Sequence, residues 1–293
     1  MKIILSRKGF DGNTGGFASP IMPCGRLLSL PIPVTPKQMA NGEVGIPYAD
    51  LRFDGQPLSE INNQLCNHNH QFPYNAAHLD PDLDRGRLEP REQGWKRTFG
   101  QQGRAQADLK DVKEGDLFLF FGWFRRTRYE NSQLRYLQPR KCGKDLHVIF
   151  GWLQIGEIHP VRKEQHQDEF PKWLHYHPHI VNRENYGNLN TIYIAADELI
   201  VSGQRLGVRG AGTFPCFKPS LQLTAQGEEA RAHWCLPKWL CKEQNHGTWP
   251  CREGHVPFDS YRYRQKQEFV FAVPEPDNQE VMKWLNDLFE GCC

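Results

Sequence analysis

The stretch His78-Leu79-Asp80-Pro81-Asp82, with Asp84, Arg85 and Arg87 close behind, puts one histidine, three carboxylates and two guanidinium groups in a short segment. Carboxylates within one turn can bind a divalent ion through hard oxygens, or one can act as acid or base with the histidine assisting. Pro81 sets its own φ and restricts Asp80, which would hold Asp80 and Asp82 in a defined relation. The competing reading is that both carboxylates only cap a turn or the next helix. Asp11 lies at the start of a glycine-rich loop, Gly12 to Gly16, behind Ser6, Arg7 and Lys8, and is a partner for the same site. Glycines there would let backbone N–H groups approach a phosphate, yet the stretch matches no nucleotide-binding fingerprint, and a solvated turn is the alternative. The candidate catalytic residues are therefore His78, Asp80, Asp82 and Asp11. A divalent metal is the candidate cofactor, with no ligand set assigned.

Cations are the next feature. Between Arg125 and Lys144 there are seven basic residues against one acid, Glu130, a local charge of +6, with Tyr129 and Tyr136 interleaved. Such a segment could neutralise phosphates while a tyrosine stacks on a base, a contact worth roughly 1–3 kcal/mol in single-strand binders. A solvated hairpin whose charges aid solubility is the other reading. The candidate nucleic-acid contacts are Arg7, Lys8, Arg87, Arg125, Arg126 and Arg128, together with Trp123, which adjoins the arginine cluster. Trp95, Trp152, Trp173 and Trp239 read as core.

Two further groups could hold metal. His175, His177 and His179 alternate in HYHPH and would share one side of an extended backbone, although Pro178 interrupts, so the segment reads as an ordinary polar loop. Cys235, Cys241, His246, Cys251 and His255 carry zinc donors but lack tight C-x-x-C spacing.

These residues need a scaffold. Asp116 to Phe124 and Leu146 to Ile155 are unbroken apolar runs, as expected of strands buried on both faces, and the basic stretch between them would project as a finger. Lys2 to Ser6, Thr191 to Ala195 and Phe217 to Thr224 read as further strands. Thr35-Pro36 starts a short helix through Ala40. Residues 62–90 read as a long structured loop. Val281, Trp284, Leu285, Leu288 and Phe289 mark one buried face of a terminal helix within 274–293, opened by a capping box of Asp277 and Glu280. The fold class is α+β: a mixed or antiparallel sheet, or a small β-barrel at about 112–225, with peripheral helices and long loops on one domain spanning 1–293.

Composition adds limits. The net charge of +2 gives no global attraction to nucleic acid, so such a partner would need a local patch. No apolar run is long enough to span a membrane, and MKIILSRKGF meets charge too early for a signal peptide. The nine cysteines are odd in number and scattered, so they read as mostly reduced thiols of a cytoplasmic protein.

Several blocks, in one order, are KIILSRKGFD, SPI, LLSLPIP, AHLDPDLDRGR, FGQQGRAQADL and EGDLFLFFGWFR, continuing through HVIFGWLQIGEI and LPKWL. In these blocks the chain resembles the nucleotide modification associated domain 3 family. The resemblance implies a protein of bacteria and their phages that takes part in modification of DNA bases. DNA or a modified nucleotide would be its partner, with protein partners of a modification system as further candidates. The order "EGD, strand, basic loop, strand ending in GEI" is similar to the barrels of the PUA, ASCH and EVE group, several of which hold a modified base. Three functions follow: an enzyme acting on a base, a reader of modified bases, and an adaptor of a modification or anti-phage defence system.

Overall fold

A computed structural model describes residues 1–66, 71–138, 143–241, 247–251, 258–264, 266–273 and 279–291. The chain is α+β. Its main sheet holds nine strands among the described residues: β1 (Lys2–Arg7), β2 (Ser19–Ile21), β3 (Thr98–Gln102), β4 (Leu117–Glu130), β5 (Gln133–Tyr136), β6 (Leu146–Pro160), β7 (Asn190–Ala195), β8 (Ala211–Thr213) and β9 (Glu268–Ala272). The order is β9-β1-β4-β6-β7-β3, with β2 and β5 also on β4 and β8 on β6. β1 and β2 run parallel to β4, and the other pairs are antiparallel, so the sheet is mixed. It does not close into a barrel, which corrects the barrel alternative.

The long apolar strand β4 organises the core. Leu117 to Phe121 are fully buried, and their alternation sends the two sets of side chains to opposite faces. Phe118 and Phe120 meet Phe99 of β3, and Phe118 also meets Tyr193 of β7. Phe121 packs edge-on against Trp234 and Tyr263. Each such ring contributes about 1.5–3 kcal/mol by leaving water, which explains why an unbroken aromatic run forms a central strand.

The helices are α1 (Pro36–Ala40), α2 (Leu58–Leu65), α3 (Gly103–Ala107), α4 (Pro178–Val181) and α5 (Gln279–Phe289). α1 starts as its sequence requires, with Thr35 as N-cap, Pro36 in the first turn and Gln38 completing a capping box. α5 buries Val281, Trp284, Leu285, Leu288 and Phe289, the face marked by their spacing, while Asp277 lies outside the described residues. Helix α2 takes the first part of the expected 62–90 loop. Phe217 to Thr224 is not a strand: Pro219 opens a 3-10 turn where a ladder would need its missing N–H. No helix among the described residues is long and apolar enough to cross a membrane.

Two strand edges within this sheet build the site. β1 and β2 lie end to end along one edge of β4, facing Leu117–Phe121 and Phe124–Arg126 in turn, so the chain leaves the sheet at Lys8 and returns at Ser19. β3 ends the sheet and is paired only with β7 among the ladders. Its other edge captures the 80–82 turn: Asp82 and Thr98 exchange both backbone hydrogen bonds, at 2.9 and 3.1 Å, so the open edge is covered.

Candidate functional site

A cleft of about 250 Å³ opens where these two edges meet, lined by Arg7, Lys8, Asp11, Gln38, His78, Asp80, Gln101, Gln102, His179 and Tyr186 among others. Asp80 is the centre of its acidic end. The Oδ1 atom accepts a 2.7 Å hydrogen bond from the Gly100 N–H of β3, and Nε2 of His177 lies 3.6 Å from the same oxygen. The Oδ2 atom faces Nε2 of His179 at 3.6 Å and Nε2 of His78 at 3.9 Å. The donor atoms of His78, Asp80 and His179 all lie within 4.8 Å of one another, a spacing suited to a metal ion.

The local sequence explains how the histidines arrive. Pro178 does not interrupt an extended segment; it occupies the first turn of α4, with His177 as the N-cap. The Nδ1 atom of His177 accepts the His179 N–H at 3.2 Å, which leaves the proton of the neutral ring on Nε2, toward Asp80. His179 is oriented oppositely. Asn190 donates its amide N–H to the His179 carbonyl at 3.0 Å, so its Oδ1 must face Nδ1 of His179, at 2.6 Å. That contact requires a proton on Nδ1 and leaves a lone pair on Nε2, toward Oδ2 of Asp80. His175 is elsewhere, bonded to the Phe170 carbonyl.

Close packing holds His179 in place. A Cβ on Gly100 would meet its ring at 2.4 Å, so glycine is the residue that lets the imidazole lie against β3. Burial lowers His179 to about 3 and His78 to about 4, despite the attraction of Asp80. Both rings are therefore neutral near pH 7. Burial would raise Asp80, yet the carboxyl is held below its ordinary range, with the His177 contact the largest of the influences that lower it.

The cationic end comes from Arg7, the last residue of β1, and from Lys8 just beyond it. Nζ of Lys8 pairs with the fully buried Glu268 at 3.0 Å and sits 4.4 Å from the Phe99 ring centroid. Ser6 and Gln101 donate to the same Glu268 oxygen, and its other oxygen has no hydrogen-bond partner among the described residues. Burial raises Glu268 above the usual carboxylate range against the pull of Lys8. Arg7 lies 3.6 Å from Asp11, whose Oδ1 accepts the Asn13 and Thr14 N–H groups at 2.8 Å. Asp11 thus lines the cleft while bracing the glycine-rich loop.

Asp82, expected to act beside Asp80, is turned away into a closed network. Its oxygens take a bidentate pair from Arg91 at 2.7 and 2.8 Å and accept hydrogen bonds from Trp95 and Tyr176. Arg87 is also absent from the cleft: it is buried, donates to the Arg52 carbonyl at 3.2 Å and lies over the Phe53 ring. The basic finger is a hairpin of β4 and β5. Arg125 pairs with Asp145, Arg128 with Glu130, and Arg126 lies over the Phe217 ring. Arg140 and Lys141 lie outside the described residues. Trp123 and Arg125 line a different concavity of about 480 Å³ with Phe17, Tyr74 and Tyr136, whose wall includes Gly12, Asn13, Gly15 and Gly16. The loop after Lys8 therefore borders both concavities.

Among the described residues Cys24, Cys66, Cys216 and Cys241 are free thiols, but the zinc reading of the C-terminal set needs correction. Cys235 and Cys251 form a disulfide, their Cα atoms 5.5 Å apart, so neither is a thiol or a zinc donor. Burial pushes the Cys241 thiol up to about 12, which keeps it protonated. His246 and His255 lie outside the described residues. Gly100, Gln101, Asn190 and Glu268 carry no signal of type or spacing in the sequence, although Gly100 and Gln101 stand in the FGQQGR block.

A family model described as nucleotide modification associated domain 3 matches residues 2–272. No curated protein and no solved structure matches the chain.

Proposed function

Because the chain belongs to the nucleotide modification associated domain 3 family, we propose that the cleft receives a nucleotide or an extruded DNA base and acts on it chemically. Asp80 with His78 and His179 serves the reacting group, and Arg7 and Lys8 serve the anionic part of the substrate. One observation carries this reading: a buried carboxylate with two neutral histidines opens into the same cleft as two cations at the end of β1, Arg7 and the adjoining Lys8. Neutral imidazoles at neutral pH suit a base or a metal ligand, and an arginine suits a phosphate. The volume of about 250 Å³ suits a nucleobase better than a long segment of duplex, so DNA would present its base extruded or single-stranded. Trp123 and Arg125, on the far side of the glycine-rich loop, would then meet neighbouring nucleotides, with Arg126 and Arg128 along the hairpin.

The test is mass spectrometry of nucleosides from ordinary and modified DNA, incubated with purified protein with and without divalent ions. A nucleoside gained or lost with the wild type, and unchanged with Asp80→Asn at retained DNA affinity, supports the enzyme. Unaltered nucleosides together with selective retention of modified DNA would replace it by a reader.

A further inference from the structure

Oδ2 of Asp80 and Nε2 of His179 both present electron pairs, and they face each other across 3.6 Å. The tautomer follows from two hydrogen bonds of Asn190, one of which fixes its amide orientation. Two facing acceptors in a site that is almost dry repel unless something positive lies between them. We propose that His78, Asp80 and His179 bind a first-row transition metal ion through two imidazole nitrogens and one carboxylate oxygen. The ion binding stands on the donor geometry alone; only what the ion would act on rests on the nucleotide reading above.

The spacing fits. Donors at about 2.1 Å from a tetrahedral ion lie about 3.4 Å apart, close to the 3.6 and 3.9 Å that separate Oδ2 of Asp80 from the two nitrogens. The surroundings also suit ligation. The Nδ1–H of His179 is held by Asn190, and the second oxygen of Asp80 is held by the Gly100 N–H, the outer contacts that orient metal ligands. His177 is fully buried, its Nε2 has no hydrogen-bond partner among the described residues, and it lies 3.6 Å from Asp80, where its proton would support a ligating carboxylate. Histidine donors select zinc, iron, cobalt or manganese over magnesium and calcium, which prefer oxygen ligands throughout. Three protein ligands leave coordination positions open toward the cleft, as in catalytic rather than structural centres.

The experiment uses the full chain without a histidine tag, stripped by chelator and titrated calorimetrically with Zn2+, Mn2+, Co2+, anaerobic Fe2+ and Mg2+. One equivalent of a transition ion should bind, Mg2+ should not compete, and the ion should raise the unfolding temperature. His179→Gln and His78→Gln should remove the stoichiometric binding, and Asn190→Ala should weaken it about 10–100-fold. His78 lies at the cleft wall, so its variant remains informative if the variants at 179 and 190 fail to fold. Absence of transition-ion binding, binding of Mg2+ alone, or unchanged affinity in His78→Gln would overturn the proposal. No nucleotide is present, so this failure is separate from that of the nucleotide reading, which the nucleoside measurement decides.

Discussion

Asp80 and Asp82 are two residues apart in one turn, yet their surroundings are opposite. Asp82 is surrounded by donors: the Arg91 fork, the Trp95 indole and the Tyr176 hydroxyl. Asp80 has one good donor, Gly100, and on its other oxygen faces nitrogens, one of which carries a lone pair. The first arrangement closes a buried ion pair with its hydrogen bonds made; the second leaves bonding capacity for something that enters the cleft. Satisfaction of each atom, rather than residue type or burial, separates the structural carboxylate from the one we propose to react.

The largest effect that sharpens this contrast is on stability. Asp82→Asn strands the Arg91 guanidinium, whose side chain is almost wholly buried, and should cost about 3–5 kcal/mol in urea unfolding. A loss below 1 kcal/mol would mean that the network is not structural. A buried histidine away from both carboxylates gives the next effect. His147 accepts a hydrogen bond from the Trp234 indole, and burial holds it neutral, well below its ordinary range. Because only the unfolded chain takes up that proton, its contribution is intact above pH 6.5 and declines as pH falls below it. His147→Gln should therefore flatten the acid-side slope of unfolding free energy by about 1.4 kcal/mol per pH unit. An unchanged slope would contradict the assignment.

Asp80→Asn should behave unlike its neighbour, with metal-free stability within about 1 kcal/mol of wild type. The amide oxygen can keep the Gly100 N–H, and the new NH2 group gives His179 the donor it lacks. Turnover should nevertheless disappear in the nucleoside assay. Arg7→Ala should give the smallest change, a several-fold weaker affinity for a 5′-phosphorylated nucleotide than wild type, with unphosphorylated nucleoside affinity unaltered; calorimetry with both ligands checks it.

Much of the scaffold was legible because it rests on local pattern. The aromatic runs of β4 and β6, the start of α1 and the buried face of α5 need only periodicity and capping. His78 and Asp80 stood out by type and spacing. What could not be read is which side of the turn each carboxylate would take, since Arg91, Tyr176 and Gly100 meet them only through folding. By alternation alone HYHPH reads as an extended stretch broken by proline, whereas Pro178 opens a helical turn capped by His177. A histidine immediately before proline, with another just after it, was the available signal. Glu268 was hidden for another reason: it reaches Lys8 across a sequence distance of 260 residues, through the β1–β9 ladder. The disulfide likewise depends on approach in space, which cysteine spacing did not indicate.

The most direct measurement is the protonation state of the His179 ring in metal-free protein at neutral pH, read from long-range nitrogen–proton NMR correlations of the imidazoles. A neutral ring carrying its proton on Nδ1, with Nε2 bare, is the result expected from the Asn190 contacts. A proton on Nε2, or a fully charged ring, would make Asp80 an ordinary satisfied partner like Asp82 and contradict the account.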